Sequence, residues 1–104
     1  MTLKEHAEAL IGYFGRCANE TPNEKVWQLG QDAANEWLRL INASTVSQAE
    51  AAGLIAIVDE NKSSGSGWFD LALGVSHWAK SNGFPIPYPF WPHKVIEDVS
   101  DRSN

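Results

Sequence analysis

Apolar positions recur at helical spacing from the first residues of this chain. Leu3, Ala7, Leu10, Phe14 and Cys17 follow at intervals of four, three, four and three, drawing one stripe along a helix. Thr2 with Glu5 reads as a capping box, and Lys4, Glu8 and Arg16 take the opposite face. The pattern predicts a first helix over 2–19. A second start signal stands at "TPNE", with Thr21 as cap, Pro22 at the first helical position and Glu24 three residues after the cap. Beyond it Val26, Leu29, Ala33, Trp37 and Leu40 form one line, and Trp27, Ala34, Leu38 and Ile41 its neighbour. A helix over 22–42 with a wide buried face is expected.

Ser47 with Glu50 opens a third helix over 48–61, "QAEAAGLIAIVDEN", whose middle is apolar nearly all round. That pattern predicts the most enclosed element of the fold. "KSSGSG" at 62–67 reads as a loop. A fourth helix over 68–81 aligns Trp68, Leu71, Ala72, Val75, Trp78 and Ala79, and Asn82-Gly83 closes it with a left-handed cap. No stretch alternates long enough for a strand. The expectation is an all-α fold, one domain over 1–104, built as an antiparallel four-helix bundle with short connections.

The segment "GFPIPYPFWPHK" breaks the helical pattern. Prolines 85, 87, 89 and 92 exclude a helix or a central strand and push the residues before them toward extended backbone. A stiff strap over 84–93, packed across the bundle, is expected, with a frayed tail over 99–104. Residues three apart share a side in such a strap, which groups Phe84 with Phe90 and Tyr88 with Trp91; Phe84, Ile86 and Phe90 are expected to face the bundle, with Tyr88 and Trp91 pointing away.

Composition narrows the function. The net charge is −5, and the eight basic residues are scattered singly, so no phosphate-binding patch exists. An acidic chain suits a basic protein partner and not nucleic acid. The single cysteine, Cys17, makes neither an internal disulfide nor a zinc cluster. The longest strongly apolar run, "GLIAIV", is too short to span a bilayer, and charges interrupt the N-terminus where a signal core would lie. A cytoplasmic location without membrane contact is expected.

Chemistry is scarce. His6, His77 and His93 show no metal-ligand spacing, so neither metal nor cofactor is expected. "SSGSG" runs into Trp68-Phe69-Asp70, where a phosphate loop needs Lys-Ser/Thr. No nucleophile with a positioned base is visible, and the chain reads as no enzyme. Asp59 and Glu60 in the last turn of the third helix, with Asp70 across the loop, form an acidic patch if that loop folds back. The expected function is a small acidic binding protein that neutralises a larger basic protein by occlusion. Toxin-immunity proteins and phage-encoded inhibitors of host defence are of this type. Tyr88 and Trp91 would anchor the partner, with Asp59, Glu60 and Asp70 as the charged rim. Two alternatives stand beside it: an aromatic pocket of Trp68, Trp78 and Phe84 for a small hydrophobic ligand, and a homodimer burying the strap.

Overall fold

Helices form where the apolar stripes run. The computed structural model describes residues 2–86. In it α1 spans Leu3–Glu20, α2 Lys25–Asn42, α3 Gln48–Asn61 and α4 Ser66–Ser81, with no strand among the described residues. Of the strap, Phe84, Pro85 and Ile86 are described. Tyr88, Phe90, Trp91 and the tail over 99–104 lie outside the described residues.

Local side-chain chemistry sets most helix ends. Thr2 Oγ1 accepts the Glu5 N–H at 3.1 Å, and the Glu5 carboxylate accepts the Thr2 N–H at 2.9 Å. Ser47 and Glu50 repeat the arrangement at α3, at 3.1 and 3.0 Å. In both boxes the backbone N–H held by the glutamate lowers its pKa below the ordinary range. α4 ends on a Schellman motif. Gly83 takes φ 77°, its N–H reaches Lys80 O at 3.2 Å, and the Phe84 N–H reaches Ala79 O at 2.9 Å. That geometry delivers the Phe84 ring to Trp78, with centroids 5.3 Å apart.

Two helix starts differ from the expectation. Thr21 closes α1, its Oγ1 and N–H both donating to Cys17 O, at 2.8 and 2.9 Å. Pro22 and Asn23 then occupy the middle of a turn closed by the Glu24 N–H on Thr21 O at 3.0 Å, so α2 begins at Lys25. A threonine between two helices can serve either, and the nearer carbonyl wins. α4 starts at Ser66 because Gly65, at φ 144°, turns the chain against the Trp27 ring.

The helices run alternately up and down. Phe14 and His6 of α1 meet Gly30 and Trp37 of α2, and on their other side Gly67 and Gly74 of α4, so α1 opposes both helices. Arg39 of α2 reaches Glu50 of α3, which turns α3 back again. α1 touches α2 and α4, α3 touches α2 and α4, and α1 and α3 lie across the bundle without close approach.

The interior is built from rings set into glycine sockets. Phe14, Trp37 and Trp68 are wholly buried, with Phe14 and Trp68 centroids 5.5 Å apart. A Cβ on Gly30 would stand 2.5 Å from Phe14, and one on Gly74 2.5 Å from Trp37 and 2.9 Å from His6. Only hydrogen leaves room for these rings, which is why α1, α2 and α4 approach so closely.

α3 overturns an expectation. It is not the most enclosed element: Ala51, Leu54, Ile55 and Val58 are buried, but Ala52, Gly53, Ala56 and Ile57 are exposed. Among the described residues only two helices flank it, so its apolar residues find described neighbours on one side alone.

Candidate functional site

Because α3 lacks a polar face, it carries an apolar strip into solvent. At the helical repeat, Ala49, Ala52, Gly53, Ala56 and Ile57 share one outward side, opposite the buried Ala51, Leu54, Ile55 and Val58. α2 adds Leu29, 39 % exposed beside Ile57 at 37 %. These two line a groove of about 380 Å3 between α2 and α3, floored by Ala33, Gly53 and Leu54. Its polar rim is acidic throughout, formed by Asp32, Glu36 and Glu50. On the other flank of α3 a second groove, of about 580 Å3, runs between Ala52, Ile55 and Ala56 and the strap residues Pro85 and Ile86. Asp59 and Glu60 close it. The outward strip of α3 thus lies between two acid-edged grooves.

The carboxylates differ in how they are held. Arg39 donates to both Glu36 oxygens, at 2.8 and 2.6 Å, and to Glu50 at 3.0 Å, clipping α2 to α3 on the surface. The Arg39 bonds lower the Glu36 pKa, and the two carboxylates raise that of Arg39. Asp59 pairs with Lys62 at 2.7 Å. Among the described residues, two cations against five carboxylates leave the surroundings of the strip negative. The C-terminal end of the α3 dipole adds to this at Asp59 and Glu60.

Of the residues expected to act, Asp59 and Glu60 share the groove beside the strap. Asp70 lines a different groove, of about 280 Å3 between α1 and α4, with His6, Tyr13 and Ser66. One turn into α4, Asp70 falls on the side of that helix nearest α1. Tyr88 and Trp91 lie outside the described residues. Trp68 is wholly buried, its Nε1 donating to Val26 O at 3.2 Å, and is closed to a ligand. Trp78 and Phe84 do meet, lining a cleft of about 510 Å3 with Leu40 and Val46 at the opposite end of the bundle.

Sequence reading missed Ile57, Leu29 and the small residues of α3. The signal was present in the third helix, which has no polar side to turn toward water. His6 of α1 turns toward the interior of the bundle. It is half-buried with its ring edge on Trp37 at 5.8 Å, and its Nε2 lies 3.1 Å from Asp70 O. A carbonyl only accepts, so this nitrogen carries the proton. Among the described residues no group of three His, Cys, Asp or Glu could hold a metal ion, and no helix is long and apolar enough to cross a membrane. Comparison with protein-family models, curated proteins and solved structures finds no match to this chain.

Proposed function

We propose that the chain is a non-enzymatic binding protein that covers a larger, basic protein partner through the outward face of α3. The observation that carries this reading is the apolar strip of α3 between two carboxylate-edged grooves. A helix in water ordinarily turns a polar side outward, and a contiguous exposed apolar patch marks an interaction surface. Desolvated contact on Ile57 and Leu29 supplies affinity, while the surrounding carboxylates steer a basic partner and reject acidic ones. Occlusion of the partner's working surface, in the manner of an immunity protein or an anti-defence inhibitor, is the mode that fits so small a chain.

The test is paired affinity capture with the wild-type chain and the Leu29→Asp/Ile57→Asp variant, followed by titration of the captured protein's own activity. Both positions are partly exposed, so the variant should keep its fold at a modestly lower melting temperature, and capture is run well below that temperature. One stoichiometric basic partner, retained by the wild type, lost by the variant and inhibited on titration, supports the proposal. A partner retained equally by both chains sinks it.

A further inference from the structure

Glycines within the helices differ in what surrounds them. Gly30, Gly67 and Gly74 are buried, and each faces an aromatic ring that a Cβ would strike. Gly12 is exposed on the polar side of α1, where a Cβ would meet Arg16 at an ordinary 3.7 Å. Gly53 stands in the middle of α3, on its apolar outward side, and a Cβ there would meet no described atom within 4 Å. Mid-helix glycine is a poor helix former, and nothing among the described residues requires it at 53. What a bare Cα on an apolar helix face permits is close approach from outside.

We infer that the partner element seated on α3 is itself an α-helix, with an apolar stripe bordered by lysine or arginine on both sides; this rests on the binding role proposed above. Helix-on-helix distance is set by the side chains at the contact, and Ala49, Ala52, Gly53 and Ala56 add at most one carbon each. An incoming helix can therefore sink its larger side chains between Leu29 and Ile57 on one flank and toward Ile86 on the other. An extended segment gains no such fit, because the backbone groups of α3 are engaged within the helix and offer no edge to pair with. A second copy of the chain is disfavoured by charge. α3 has no lysine or arginine, so two α3 faces in antiparallel contact set Glu50 of each against Asp59 and Glu60 of the other. Negative charge borders the strip at both ends, with Asp32, Glu36 and Glu50 along one groove and Asp59 and Glu60 along the other. The basic residues of the incoming helix accordingly stand along both of its flanks, over Asp32, Glu36 and Glu50 on one side and over Asp59 and Glu60 on the other.

Two synthetic helical peptides of about five turns test this. Both carry the same leucine and alanine stripe; one is flanked by lysines, the other by glutamates. Each is titrated into isotope-labelled full-length protein while the amide resonances are followed. The lysine peptide should give saturable shifts along Ala49–Glu60, weakening with salt, and should bind at least roughly tenfold more tightly than the glutamate peptide. Gly53→Leu should weaken it by roughly tenfold or more at a melting temperature no lower than that of the wild type, with Gly53→Ala between the two.

Equal binding of the two peptides overturns the inference, as does undiminished binding by Gly53→Leu. So does a self-associated protein that Ile57→Asp turns into monomer, or contact of residues 87–104 with Ala52 and Ala56 that shuts the peptide out. A natural partner captured through Ile57 but contacting α3 with an extended segment removes the helix alone and leaves the binding role standing. Capture that does not depend on Ile57 removes the binding role itself.

Discussion

α3 and α4 are similarly apolar helices that the fold treats differently. α4 is flanked by three helices and buries Trp68, Leu71, Ala72, Val75, Trp78 and Ala79, together with Gly67, Gly74 and Ser76. α3 is flanked by two and buries only Ala51, Leu54, Ile55 and Val58. Side-chain size follows the same division. α4 offers indoles and receives the ring of Trp37, whereas the outward side of α3 offers methyl groups and a hydrogen. Burial is thus decided by how many neighbours a helix has, not by how apolar it is. Among the described residues, the helix with fewer neighbours keeps more of its apolar surface outside the core.

Substitution at matched positions sharpens the contrast. Trp37, wholly buried against Gly74 and His6, should cost about 3–5 kcal/mol as Trp37→Ala, whereas the partly exposed Ile57→Ala should cost less than about 1 kcal/mol. Chemical denaturation reads both, and similar losses would mean that α3 is enclosed after all. The glycine pair should differ in sign. Gly74→Ala drives a Cβ into Trp37 and His6, an overpacking cost that exceeds the helix-propensity gain and leaves a net loss of about 1–2 kcal/mol. Gly53→Ala meets open space and should stabilise by about 0.5–1 kcal/mol. A stabilising Gly74→Ala would remove the socket interpretation of the core.

The smallest effect is electrostatic. Glu5, Glu36 and Glu50 all have folded-state pKa values lowered by hydrogen bonds, so each binds its proton more readily when unfolded. Their contribution is complete above the unfolded pKa and is lost as pH falls through the folded value, so the melting temperature should decline between about pH 5 and pH 3. Arg39→Ala should soften that decline only slightly, because Glu50 is held first by the Ser47 N–H and the triad is exposed. A melting temperature that rises on acidification would contradict these assignments.

Much of the fold was legible because its causes are local. Capping boxes at Thr2 and Ser47 act over three residues, the left-handed turn at Gly83 over six, and apolar stripes over a few turns. Thr21 was misplaced because two helices competed for one side chain, a contest that short-range pattern describes equally well either way. The site was legible only in part. Asp59 and Glu60 lie on one turn and had to stay together, whereas Asp70 belongs to another helix, whose rotation sets it toward α1.

From the sequence alone, then, came the four helices, most of their ends and the acidic character, since backbone geometry and charge are properties of neighbouring residues. Tertiary structure alone decided which face of α3 stays bare, which glycines hold rings, and that Leu29 and Ile57 meet across a groove. Those facts depend on which helices become neighbours, and that choice is made by the packing of residues far apart in the chain.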